Sequence, residues 1–105
     1  MNKYRDKSDF EINKAVAVNI NGSDAVVEKF GRIYISDSDA MVSFDPCSNP
    51  YDAMPIIMDN KIDLTHIVGN MVCAKHKEYW CIRKNPYRAG CEVYLLMKDA
   101  ENEKV

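Results

Sequence analysis

No stretch of this chain stays apolar long enough to span a bilayer, and the opening MNKYRDKSDF lacks the hydrophobic centre of a secretory signal. Neither membrane insertion nor export is expected. Net charge is equally scarce, since 14 Lys and Arg face 16 Asp and Glu for a balance of −2. That excludes the broadly basic footprint of a general nucleic-acid binder. There is no glycine-rich phosphate loop, nucleophile elbow, metalloprotease helix or Cys-x-x-Cys pair. A non-enzymatic protein without cofactor or metal is therefore expected. The four cysteines, Cys47, Cys73, Cys81 and Cys91, are expected to be free thiols that pack as small hydrophobes in a reducing compartment. Cys73, His76, Cys81 and Cys91 fit no compact zinc spacing, and Asp37, Asp39, Asp45 and Asp52 are accounted for as turn and cap residues.

What is present is 105 residues with 47% hydrophobic and 29% charged composition, the balance of one globular domain with a single modest core. Ser8-Asp9-Phe10-Glu11 is a capping box, so a helix is expected over 9–17 with Ile12, Ala15 and Val16 inward and Asn13 and Lys14 outward. Asn21-Gly22 supplies a turn. Ala25 to Ile35 then reads as one strand, bent or bulged at Gly31, with Met41–Phe44 as its partner across the polar run 36–39. A second helix is expected over 50–60, burying Ala53, Ile56 and Ile57, and a second hairpin within 62–82 turning near 76–78. Ala89, Val93, Leu96, Met97 and Ala100 have the spacing of a last helix, followed by a frayed tail over 101–105. The fold class is α+β, a small antiparallel sheet of about four strands in two hairpins, packed by three helices. Apolar residues to spare make self-association expected, most commonly as a homodimer and otherwise as a higher homo-oligomer.

Asn49-Pro50-Tyr51-Asp52-Ala53 returns thirty-six positions later as Asn85-Pro86-Tyr87-Arg88-Ala89, with the charge reversed at the fourth place. Asn fits an N-cap and Pro fits the first helical position, so the pentad reads as a helix-start device used twice. The chain also resembles the NinX family of lambdoid bacteriophages. The matching residues are Ser8 to Ala17, Phe44-Asp45-Pro46-Cys47 with Asn49-Pro50, Asp52-Ala53, Pro55-Ile56-Ile57 and Asn60-Lys61-Ile62, then Asn85 to Ala89 with Val93-Tyr94-Leu95 and Met97. It departs from the family pattern at Met54, where tryptophan is expected, and at Gly90-Cys91, where bulkier or more helix-favouring residues are. A more distant likeness is to small phage proteins described as α-β-α sandwiches. The resemblance implies a phage accessory protein in the cytoplasm of an infected bacterium, and it brings no catalytic or binding residues with it.

The reversed charge is the main chemical clue, because Arg88 near a helix N-terminus opposes the helix dipole where Asp52 agrees with it. Residues 75–88 hold Lys75, Lys77, Arg83, Lys84 and Arg88 against Glu78 alone, a net +4, interleaved with Tyr79, Trp80 and Tyr87. Arg88, Lys84, Arg83, Trp80, Tyr87 and Asn85 are therefore the candidate ligand-binding set, able in principle to hold a phosphate and stack a base. The structural reading beside it pairs Arg88 with an acid such as Asp52 or Asp45 and places Trp80 in the core. Two functions follow as expectations. One is a binder that sequesters an anionic, nucleotide-like small molecule such as an antiphage defence signal. The other is an interaction module that inhibits or redirects a host protein.

Overall fold

The computed structural model describes residues 2–103 and has the expected α+β class. Helix α1 runs Asp9–Asn21, with the Ser8 side chain accepting from the backbone N–H of Glu11, as the capping box requires. It continues four residues beyond the expected end and stops at Gly22, whose φ of 85° lies outside the ordinary helical range. Ile12 and Val16 face the core. Asn13, expected outward, is buried at 7% exposure because its amide donates to Asp45 at 2.8 Å and its carbonyl accepts from the Cys47 N–H at 3.0 Å.

The region read as a single strand is two. Strand β1, Val26–Lys29, turns through Phe30 and Gly31 into β2, Arg32–Asp37, which pairs onward with β3, Ala40–Ser43. Phe30 and Gly31 both have positive φ, 54° and 71°, the combination of a type I′ turn. Gly31 is thus half of a reversal rather than a bulge. The second half of the chain repeats the arrangement. Strands β4 (Asp63–Ile67), β5 (Met71–His76) and β6 (Tyr79–Arg83) form another antiparallel meander, with the last turn at Lys77 and Glu78. The described residues accordingly form six strands in two separate three-stranded sheets, where the sequence leads one to expect about four.

Each meander leads into an Asn-Pro helix start. The Asn49 side chain accepts from the Tyr51 N–H at 3.0 Å to open α2, Pro50–Asp59, and Asn85 accepts from Tyr87 at 2.9 Å to open α3, Pro86–Glu103. Helix α3 passes through the region expected to fray, and Lys104 and Val105 lie outside the described residues. It is the hub of the molecule, since β5, β6, α1 and α2 all pack on it, while the first sheet rests on α1. The core joins Ile12 and Val16 of α1, Ala53 and Ile57 of α2, Ala74 and Cys81 of the second sheet, and Val93 and Leu95 of α3. All four cysteines are free.

Gly90 explains how α2 comes so close to α3. A Cβ built there would stand 2.6 Å from Ile57 Cδ1 and 2.7 Å from its Cγ1, and Ile57 is itself buried and unable to swing away freely. Glycine in a helix costs about 1 kcal/mol relative to alanine, whereas overpacking a filled core costs about 1 to 3 kcal/mol. Gly90→Ala is therefore expected to lower the thermal midpoint although it improves helix propensity. A midpoint equal to or above that of the parent in calorimetry would contradict this packing.

Candidate functional site

The chemistry of this chain concentrates where β6 hands over to α3. Arg83 ends β6, Arg88 sits in the first turn of α3, and Glu92 follows one turn later at the i,i+4 spacing that brings side chains together. Glu92 has 0% exposure and is an ionisable group in the middle of the core. Its Oε1 accepts from Arg83 Nη2 and Asn2 Nδ2, both at 2.8 Å, and its Oε2 accepts from Arg83 Nε at 2.9 Å and Arg88 Nε at 2.7 Å. Four donors saturate the carboxylate. Burial alone pushes its pKa up, but the bonds from Arg83, Arg88 and Asn2 outweigh that and hold it below the usual carboxylate range.

Arg88 is just as fully engaged. Besides Glu92, its Nη1 donates to Asp9 Oδ1 at 2.7 Å, and its Nη2 donates to the carbonyls of Tyr4 at 3.0 Å and Lys7 at 2.7 Å. Only 11% of its side chain is exposed. Burial opposes its charge, while the bonds to Glu92 and Asp9 more than restore it. The adverse position on the helix dipole is thereby offset, by Glu92 and Asp9 rather than by Asp45 or Asp52. Asp52 is occupied elsewhere, accepting from the Asp45 N–H at 2.9 Å.

The other residues of the basic aromatic stretch are dispersed. Asn85 caps α3 and also donates to the Cys47 carbonyl at 2.6 Å, tying the two Asn-Pro starts together. Tyr87 is half-buried against the core, and Lys84 is exposed in the link from β6 to α3. Trp80 is 57% exposed rather than buried. Arg83 and Trp80, from opposite faces of β6, do line one cleft of about 500 Å³, with Tyr79 from the same strand and Asn2, Arg5 and Leu96 from the facing wall. Asn2, Arg5 and Glu92 were not anticipated as site residues. For Glu92 a signal existed in its i,i+4 spacing from Arg88; for Asn2 and Arg5 the sequence offers none, because only the tertiary fold brings the N-terminal segment to β6.

A second feature adjoins the cleft. The register places Trp80, Ile82, Cys73, Met71 and Ile67 on the face of the second sheet turned away from α3, and the strands of that sheet pack chiefly on one another and on α3. This outer face is largely apolar, carrying Asp63 and Lys75 at one end.

Neither Cys47 nor Cys81 is an activated nucleophile. The neighbouring Cys91 thiol, ahead of burial, pushes the Cys47 thiol well up, and burial beside Glu92 pushes Cys81 up to about 12. Both stay protonated at neutral pH and are weak nucleophiles. No three His, Cys, Asp or Glu side chains converge as a metal-binding group among the described residues, and none of the described helices is long and apolar enough to cross a membrane.

Fold and site together define a small α+β protein built around a buried Arg–Glu–Arg cluster, with an exposed tryptophan on the outer face of the second sheet. The family model described as Bacteriophage P22, NinX matches residues 3–98, and the chain belongs to that family of phage proteins. Searches of curated proteins and of solved structures find no match.

Removing one partner of a buried ion pair costs about 3 to 5 kcal/mol because the other charge is left without compensation. Glu92→Gln is therefore expected to lower the thermal midpoint by more than about 10 °C. The linkage to pH has a definite sign. A carboxyl depressed in the folded state contributes stability in full above its unfolded value near 4.3, and that contribution is lost as pH falls through the lower folded value. The parent should thus lose stability steeply across this acid range, and Glu92→Gln should give a flatter profile there in denaturant titrations.

Proposed function

We propose that this phage accessory protein is non-enzymatic and acts by docking on a protein of the infected bacterium. The observation that carries the reading is the open outer face of the second sheet, where Trp80 stands 57% exposed beside Ile82, Cys73, Met71 and Ile67. An apolar face of this kind, with charge at one end and an exposed tryptophan on its edge strand, has the character of a protein-binding surface. The two arginines of the basic stretch are spent inside the molecule, since Arg88 makes four bonds to protein acceptors and Arg83 three.

A second reading is a nucleotide-like anionic ligand held in the cleft between β6 and the N-terminal segment. It is favoured by one specific arrangement, in which Arg5, Arg83, Tyr79 and Trp80 line the same cavity. Stacking on the aromatic rings and a phosphate on Arg5 would be its chemistry.

Tagged protein expressed in infected cells, cross-linked and recovered, separates the two readings. The parent and Phe30→Ser, which alters an exposed aromatic on the other sheet, are expected to retain the same host protein, and Trp80→Ser to lose it, with all three melting within a few degrees of one another. Indifference of the captured protein to Trp80→Ser would argue against docking at this face. A nucleotide that raises the melting midpoint, by about 2.7 kcal/mol of stabilisation at a hundred times its dissociation constant, would favour the second reading instead.

A further inference from the structure

Strand β6 is the edge of its sheet, and its free edge runs along the cleft that Arg5 and Leu96 face. Which backbone groups point into that space follows from the hairpin register. His76 pairs with Tyr79 across the two-residue turn, and the closing pair of such a hairpin exchanges both of its backbone hydrogen bonds. Counting on by twos, Tyr79, Cys81 and Arg83 turn their N–H and C=O toward β5. Trp80 and Ile82 turn theirs outward. Among the described residues no loop or neighbouring segment hydrogen-bonds the outward groups of Trp80, and the Ile82 carbonyl receives only Arg83 Nη1 at 2.6 Å.

A row of unpaired N–H and C=O groups at strand spacing is a template for another strand. The second wall of the cleft decides what kind. Asn2, Arg5 and Leu96 stand across from β6 around a space of about 500 Å³, so that a strand added about 4.8 Å from β6 would be a short one lying between two walls. The charge of the walls decides the composition. Arg83 is neutralised by Glu92 and Glu78 lines the cleft at its hairpin end, whereas the Arg5 guanidinium, on the opposite wall, has no side-chain partner among the described residues and is the place for an acidic group. Leu96 and Trp80 supply the apolar contacts.

We propose that β6 accepts a fourth strand from the partner protein, an extended segment that pairs with both backbone groups of Trp80 and with the N–H of Ile82, lays an acidic side chain on Arg5 and buries an apolar one against Leu96 and Trp80. The proposal rests on the reading that the protein works by docking on another protein, and it names the conformation and charge of what is bound.

The test uses the full chain and a library of short linear peptides selected for binding to it, with the enriched peptide, fluorescently labelled, as the probe. Enriched sequences are expected to alternate apolar residues with an acid, and the bound peptide to slow amide exchange at Trp80 and Ile82 by roughly tenfold or more. Ile82→Pro deletes one outward N–H at a place where an edge strand tolerates proline, and it is expected to weaken the peptide several-fold to about tenfold. Arg5→Glu is expected to weaken it at least as much. Methylating alternate backbone nitrogens of the peptide gives the same information from the other side should Ile82→Pro fold poorly. Unchanged exchange at Trp80 and Ile82, or a library yielding no peptide sensitive to Arg5→Glu, overturns the added strand. If such peptides nevertheless lose affinity in Trp80→Ser, the partner sits on the sheet face and docking stands; if they are indifferent to Trp80→Ser as well, both readings fall.

Discussion

One buried carboxylate organises this protein. Glu92 lies in the core with no exposure, and an ionised group there is tolerable only when its oxygens are filled by donors that cannot leave. The donors come from three places in the chain: Asn2 in the N-terminal segment, Arg83 at the end of β6 and Arg88 in α3 itself. Meeting that requirement fixes the angle at which the second sheet meets α3. It also pins the N-terminal segment across the end of the sheet and, through Asp9, anchors the start of α1. The cleft beside β6 is a by-product of the same constraint, since one wall ends at Arg83 and the other begins at Asn2.

The same cluster explains why charge in the sequence is a poor guide to the surface. The stretch from Lys75 to Arg88 looks like a basic patch when its letters are counted, but its two arginines share a buried acid and Arg88 also serves two backbone carbonyls. Net charge over a window cannot distinguish a solvated lysine such as Lys84 from a guanidinium that has become part of the core. The reversed charge in the second Asn-Pro pentad is resolved in this way: Asp52 serves the backbone of Asp45, and Arg88 serves α1 and Glu92.

Local signals were the legible ones. The capping box at Ser8, the two Asn-Pro starts and the buried face Ala53, Ile56 and Ile57 depend on neighbours within a turn or two, and all three stand in the fold. The turn at Phe30-Gly31 was not legible, because phenylalanine favours strands and the residues around it form an almost unbroken β-prone run. Missing that turn hid a regularity, namely that each Asn-Pro pentad follows a three-stranded meander. Asn13 was misplaced for a related reason. Its polarity argues for solvent, while its partners, Asp45 and Cys47, lie more than thirty residues away and become visible only in three dimensions. Glycine at position 90 is likewise a weak helix former in isolation and a necessity once Ile57 is seen against it.

The span of these bonds in sequence has a consequence for how the molecule is made. Asn2 bonds Glu92 across 90 positions, Tyr4 bonds Asp99 across 95, and Asp9 receives Arg88 across 79. The segment around Asn2 and Tyr4 must therefore wait for α3, the element on which nearly everything packs, before its side chains have these partners to bind. Closures this distant are slow relative to helix and hairpin formation because the loop entropy is lost before the contact is gained. Until α3 emerges, the nascent chain holds two meanders and two helices with no common core, and in that interval it is open to proteases and chaperones in a way the finished protein is not.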